Sequence, residues 1–247
     1  MWWGPTTDFF VYVDRGAAQL RSVAGMWPRR RVREGARVAR AQLSDVLREA
    51  ARGAKSGRLR LHVLLGSSLC RFLLLENTRR LKNDAEVTAL AAGLLKERLG
   101  LDPGEWVCGV DRDWDRTALV CAVRSALLDE LRASAVAVQA ELLSVRPWIG
   151  ELLRASDGQA TKVAMLGVIE PDAVSLLSER SGSTQVQALP LNDGGDPLEA
   201  LRYLAESAGT AARSLPIVQF DPAAAKRGAV PVRTDFSDCA LPRSNPL

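Results

Sequence analysis

Short β-rich segments alternate with helical segments along most of this chain. The first two, at 9–14 and 19–24, flank a short turn that contains Gly16 and predict a β-hairpin. Apolar residues then recur at roughly helical spacing from 34 to 55, which predicts an amphipathic helix. Further strands are predicted at 59–65, 70–75, 106–111 and 117–122, and further helices at 84–98 and 126–139. This order predicts an α/β fold with mixed sheets flanked by helices.

The second half of the chain repeats the alternation in shorter form. Strands are predicted at 161–169, 184–191 and 215–220, and a helix at 198–207, while 171–177 fits either a short helix or a strand. The polar segment 155–159 separates the halves and predicts a domain boundary. We therefore expect a first lobe over 1–155, a smaller α/β lobe over 156–220 and an irregular C-terminal tail over 221–247.

The supply of catalytic side chains is small. The chain has one histidine, His62, which argues against histidine-based zinc sites and Ser–His–Asp triads. Its four cysteines have no close pairing and predict structural thiols in a reducing compartment. No apolar stretch is long enough for a membrane-spanning helix, and the start lacks a signal-peptide pattern. We expect a cytoplasmic protein with no catalytic residues and no metal site.

Positive charge is concentrated between residues 29 and 60. This segment holds 11 Arg and Lys residues against three acids, although the whole chain has a net charge of only +4. Its densest part contains Arg29, Arg30, Arg31 and Arg33, which we take as candidate partner-binding residues. Such an excess fits contact with an acidic partner, anionic lipid or nucleic acid, and it equally fits a solvated helix face. Because base-stacking aromatics are not interleaved with these arginines, nucleic acid is the least favoured partner.

The Asp14-Arg15-Gly16 segment follows the first predicted strand. An Asp and a Gly in this place can hold a hydrated cation and let backbone amides approach phosphate, but a plain hairpin turn uses the same residues. The sequence contains no P-loop, dinucleotide-binding or nucleophile-elbow motif. The acids of 111–115 fall between two predicted strands and indicate a solvated loop.

The stretch from His62 to Trp148 resembles a known family. An apolar strand runs into LGSSLCRFLLL, followed by EVTALAAGLLKERLG, WVCGVD, ALVCAVRSALLDEL and SVRPW. This order is similar to the actin-like ATPase superfamily, and within it to the cytoplasmic PilM/GspL-like scaffolds of type IV pilus and type II secretion assembly. The resemblance implies two ribonuclease H-like lobes and a scaffold that docks an inner-membrane partner, with possible peripheral contact to anionic membrane.

The resemblance also implies where a nucleotide would bind. It assigns Asp14 and Gly16 to the first phosphate loop, whereas the second, expected after the strand that opens the second lobe, falls at 166–171 without Asp-x-Gly. We therefore expect a vestigial site, no hydrolysis and no bound cofactor, with Mg-ATP as the alternative. The alternatives are a nucleotide-binding ATPase or phosphotransferase of the same fold, and a basic nucleic-acid-binding protein.

Overall fold

The chain divides into two units, Met1–Gly150 and Glu151–Leu247. A computed structural model describes residues 6–24, 31–54, 57–76, 83–111, 117–155, 165–180, 183–192, 194–209, 215–219 and 233–235. The units divide five residues before the expected boundary at 155/156, within a helix over Trp148–Ala155.

The described residues form thirteen strands and five α-helices. The strands are β1 Thr6–Val13, β2 Ala17–Ala24, β3 Arg31–Ala39, β4 Arg58–Leu65, β5 Cys70–Glu76, β6 Trp106–Asp111, β7 Thr117–Arg124, β8 Ala140–Pro147, β9 Met165–Glu170, β10 Ala173–Arg180, β11 Ser183–Pro190, β12 Pro216–Gln219 and β13 Arg233–Asp235. The helices are α1 Leu43–Arg52, α2 Asp84–Leu99, α3 Ser125–Ala137, α4 Trp148–Ala155 and α5 Pro197–Ser207.

The first unit is built on a five-stranded sheet in the order β3-β2-β1-β4-β8. β1 and β2 form the predicted antiparallel hairpin, and β1, β4 and β8 run parallel. Alternate residues of β1 and β4 are buried with leucines of α1 and α3 in one aliphatic core. Its members include Phe9, Val11, Leu47, Leu61 and Leu131. Because a strand turns successive side chains to opposite faces, this core occupies one face of the sheet.

A smaller sheet is inserted between β4 and α3. Its three strands have the order β5-β7-β6, all antiparallel, and α2 packs against it. The N-cap of α2 is Asn83, whose side-chain oxygen accepts from the Glu86 N–H at 2.9 Å. Its C-cap is Gly100, with φ of 65°. These caps confirm the predicted helix. Leu75, Val87 and Leu95 belong to a core separate from that of the main sheet.

The second unit repeats the strand order of the first. Its sheet has the order β11-β10-β9-β12-β13, with β9 antiparallel to β10 and parallel to β12. α5 lies between β11 and β12 in the chain, as α1 lies between β3 and β4, and buries Leu201 and Leu204 against this sheet. The two sheets differ in the direction of their last strand. β8 is parallel to β4, whereas β13 is antiparallel to β12. No sequence repeat accompanies this structural repeat.

The predicted helix over 34–55 is wrong in its first part. Residues 31–39 form β3, an edge strand paired with β2, and the helix is confined to 43–52. The helical spacing of apolar residues comes mainly from α1, whereas 31–39 satisfies its backbone through pairing that local sequence does not reveal. The basic segment therefore includes a strand, a helix and the start of β4.

Several smaller expectations also change. The helix predicted at 126–139 begins one residue earlier, at Ser125, whose hydroxyl donates to the Glu105 carbonyl at 3.1 Å. β8 was not predicted, and the ambiguous segment 171–177 contributes to strand β10. Most of the expected irregular tail, 221–247, lies outside the described residues. Within it, however, Arg233–Asp235 form β13, which pairs with β12. Residues 112–116 of the acidic loop also lie outside them.

Candidate functional site

The carboxyl ends of β1 and β4 lie side by side. Val13 and Leu65 are in register at the ends of these parallel strands, and the Gly66 N–H donates to the Val13 carbonyl at 2.8 Å. In open α/β sheets, ligands bind beyond the carboxyl ends of parallel strands. The residues that follow the two strands, Asp14 and Gly66, therefore define the candidate site of the first unit.

The Asp14 carboxylate is fully buried and held by donors from its own chain. One oxygen accepts from the Gly16 N–H at 3.1 Å and the Ala17 N–H at 2.7 Å, and the other accepts from the Arg37 guanidinium. The first two bonds close the β1–β2 turn, and the third links that turn to β3. A guanidinium and two backbone donors compensate the negative charge. A cation that approached this carboxylate would have to displace Arg37.

Gly16 and Gly66 differ in what the backbone requires of them. Gly16 has no positive φ, and a Cβ added there would meet nothing within 4 Å. At Gly66, a Cβ would lie 2.6 Å from the Tyr12 hydroxyl oxygen and 3.3 Å from the Asp14 Cβ. The close approach of the Tyr12 side chain on β1 to the end of β4 therefore depends on Gly66, which the sequence did not single out. The signal that could have identified it is a Gly-Ser-Ser run directly after an apolar strand.

The residues after Gly66 are polar but buried. Ser67 and Ser68 begin a short 3₁₀ turn that continues to Leu69, and both are buried, with 1% and 7% exposure. The third parallel strand, β8, ends beside β4 with Pro147 opposite Leu65. Trp148 follows and is 2% exposed. The ends of the three parallel strands are thus followed by a neutralised carboxylate, two buried serines and a buried tryptophan.

The structure does not bring the candidate partner-binding arginines to Asp14. Arg31 and Arg33 pair with Ala24 and Ser22 at the end of β2 remote from the β1–β2 turn. Arg29 and Arg30 lie outside the described residues. Instead, Arg37, which the sequence did not single out, reaches the carboxylate from β3. Arg33 is exposed on this edge strand.

His62 lies on the face of the main sheet opposite its aliphatic core. Its ring stacks on Phe10, with centroids 4.8 Å apart, and Nδ1 lies 2.9 Å from the Ser144 hydroxyl oxygen. Burial lowers the pKa of His62 from its ordinary value, which favours the neutral ring. His62 is thus a hydrogen-bonded residue of strand β4.

The corresponding turn of the second unit has a different composition. β9 ends at Glu170, which is 2% exposed, and Pro171 and Asp172 form the turn into β10. Leu166–Glu170, where the second phosphate loop was expected, is thus strand rather than loop. Among the described residues, no group of three or more His, Cys, Asp or Glu side chains could hold a metal ion. None of the described helices is both long and apolar enough to cross a membrane.

Comparison with solved structures identifies the fold. The chain is similar to the cytoplasmic domain of EpsL, an inner-membrane component of the type II secretion system of Vibrio cholerae, with 17% identity, coverage of 87% of this chain and 82% of that chain, and a TM-score of 0.54. It is also similar to a Bacteroides thetaiotaomicron protein of unknown function with an actin-like ATPase fold, with 9% identity, 86% and 81% coverage and a TM-score of 0.56. The chain therefore has the actin-like ATPase fold, as the sequence resemblance implied.

A weaker similarity is to the PilM–PilN type IV pilus biogenesis complex. It has 14% identity, coverage of 83% of this chain and 66% of that chain, and a TM-score of 0.47. No protein-family profile matches the chain, and no curated protein matches it.

Proposed function

We propose that this chain is a non-enzymatic scaffold of a type II secretion or type IV pilus assembly platform. In this role it acts at the cytoplasmic face of the inner membrane and docks the cytoplasmic part of an inner-membrane partner. The similarity to the EpsL cytoplasmic domain, which extends over 87% of this chain, supports the type of machine.

One observation favours a scaffold over an ATPase. The carboxylate in the position of the first phosphate loop is buried and already bound by Arg37 and two backbone N–H groups. A nucleotide-bound Mg²⁺ needs oxygen ligands and water around it. The positive guanidinium on this carboxylate repels a second cation and competes with it for the same oxygens. Asp14 is thus a structural residue of the hairpin, and we propose that this site binds no nucleotide.

The scaffold role can be tested in the native host. Deletion of the gene should abolish surface pili or type II secretion while growth remains normal, and expression of the intact chain should restore the lost process. Normal piliation together with normal secretion in the deletion strain would refute the proposal. A second test measures whether the inner-membrane partner of the machine still accumulates, because a docked partner is often unstable without its scaffold.

A nucleotide-binding protein is the second candidate function. The observation that favours it is the junction of parallel β1 and β4 at Gly66, because such strand ends are common ligand sites in α/β folds. Calorimetry with Mg-ATP separates the two candidates. We expect no saturable heat, and saturable binding in the micromolar range would replace the scaffold proposal with the nucleotide-binding one.

A further inference from the structure

β3 is the outermost described strand on one side of the main sheet. Among the described strands it pairs only with β2, so its other side presents backbone groups that no described strand satisfies. Ala36 and Ala39 on β3 are exposed and small, and Arg33 is exposed as well. An edge of this kind can accept an extended peptide through backbone hydrogen bonds.

The hydrogen bonds at the β1–β2 turn establish which backbone groups of β3 point outward. The Arg40 N–H donates to the Gly16 carbonyl at 2.9 Å, which makes these two residues a hydrogen-bonded pair. Bonded and non-bonded pairs alternate along an antiparallel ladder. Ala39 lies opposite Ala17, whose N–H and carbonyl are both bonded to Asp14. The N–H groups of Arg37 and Ala39 therefore point away from β2, toward the open edge.

The positive charge along β3 favours one kind of binding partner over another. Residues 29–40 contain six arginines and one acid, Glu34. Arg37 and Arg40 are paired with Asp14 and Glu130, whereas exposed Arg33 forms no ion pair with a described residue. A second copy of the chain would place like charges opposite each other across such an edge, which is unfavourable. An extended acidic segment would instead gain attraction at the same positions.

We propose that the β3 edge binds an extended acidic peptide segment of the partner, which adds to the main sheet as a sixth strand beyond β3. This rests on the proposed scaffold function and specifies the chemistry of the segment that the scaffold docks. Acidic side chains at alternate positions would lie on the sheet face that presents Arg33, since side chains alternate along a strand.

Ala39→Pro is the variant that isolates the backbone contribution. Ala39 has φ of −59° and ψ of 139°, a conformation that proline adopts without strain. Its outward N–H bonds no residue of β2, so its loss should leave the β2–β3 ladder intact. The proline ring would remove one donor and block close approach of a new strand, without any change in charge.

The assay is fluorescence anisotropy of a labelled, end-blocked peptide of about eight alternating Glu and Val residues, titrated with the full chain at low ionic strength. We expect saturable binding, weakened at least about tenfold by Ala39→Pro and by Arg33→Glu. The charge control is Arg132→Glu on α3, an exposed arginine that pairs with Asp129 of its own helix, and this variant should leave affinity unchanged. A Lys and Val peptide of the same length should not bind.

Three outcomes would overturn the inference. The first is equal binding by Ala39→Pro and the unmodified chain, which would mean that charge alone attracts the peptide. The second is no preference for the acidic peptide. The third is sedimentation with phosphatidylserine vesicles that Arg33→Glu abolishes and Ala39→Pro does not, which would assign the arginines to a lipid surface.

If Ala39→Pro unfolds, hydrogen exchange gives the same test in the unmodified chain. Peptide addition should slow the exchange of the Arg37 and Ala39 amides. Unchanged exchange would overturn the inference.

The failure of this inference is distinguishable from failure of the scaffold role. If Ala39→Pro abolishes peptide binding yet restores piliation or secretion in the deletion strain, the edge is not the docking site and the scaffold role stands. If the deletion strain has no defect in either process, the scaffold role itself fails, whatever the peptide does.

Discussion

The guanidinium of Arg37 is the only charged donor that the structure places on the buried Asp14 carboxylate among the described residues. Arg37→Met removes this charge while keeping much of the aliphatic stem. Loss of one partner from a fully buried ion pair costs about 3–5 kcal/mol. The Arg37 side chain is 39% exposed, so solvent screens the pair, and Asp14 keeps two backbone donors. We therefore expect the variant to lose about 2 kcal/mol of stability.

The assay must report on the first unit alone, because two units need not unfold together. Native-state hydrogen exchange of peptides from β1, β2 and β3 meets this requirement. Arg33→Met on the same strand is the matched control, since Arg33 is exposed and its loss should cost less than about 0.5 kcal/mol.

A double-mutant cycle tests the reason for the loss. Asp14→Asn keeps an oxygen for the Gly16 and Ala17 N–H groups but carries no charge. On that background Arg37→Met should cost about 1–2 kcal/mol less than in the unmodified chain. Equal costs in both backgrounds, or a cost below about 0.5 kcal/mol in the unmodified chain, would refute the pairing. The Asp14 carboxylate would then again be a candidate for binding a cation with phosphate.

Two glycines and the histidine give further predictions. Gly93→Ala in α2, where an added Cβ meets nothing within 4 Å, should raise the free energy of unfolding by about 0.5–1 kcal/mol in urea titrations, and a decrease would contradict the open space. Gly167→Ala should lower the free energy of unfolding by about 1–3 kcal/mol. The new Cβ would lie 3.1 Å from Leu201 Cδ1 and 3.2 Å from Leu215 Cδ2. An unchanged urea midpoint would show that these side chains move easily. Burial lowers the pKa of His62 from 6.5, so stability should be retained above this value and lost as pH falls through the lower pKa of the folded protein. Urea midpoints from about pH 8 to about pH 5 should show this loss, and His62→Gln should reduce it; the same pH profile in both proteins would exclude His62 as its source.

The local sequence was sufficient to predict the features that local interactions determine. The β1–β2 hairpin and both caps of α2 follow from turn and capping residues that lie within a few positions of the backbone they stabilise. The fold class could also be predicted, since it depends mainly on the order of strands and helices.

Features that depend on pairing between distant segments could not be predicted. Arg37 reaches Asp14 only because β3 pairs with β2 in a register interrupted near Gly35, where an added Cβ would lie 2.9 Å from the Leu20 carbonyl oxygen. Nothing in the local sequence around Arg37 reveals that register. Gly66 was missed for the same reason, because its requirement for glycine comes from Tyr12 on a neighbouring strand.

The inserted sheet has a consequence for how proteins of this architecture can diverge. Its first strand, β5, and its last, β7, are paired, with Cys70 directly opposite Val123. Neighbouring strands lie about 4.8 Å apart, a gap that a two-residue turn can close. The segment between these positions also has a core of its own around Leu75, Val87 and Leu95. Cys121 and Phe72, which lie within this segment, pack in the core of the main sheet. Evolution can therefore vary the part of the segment around Leu75, Val87 and Leu95 without disturbing the register of the main sheet.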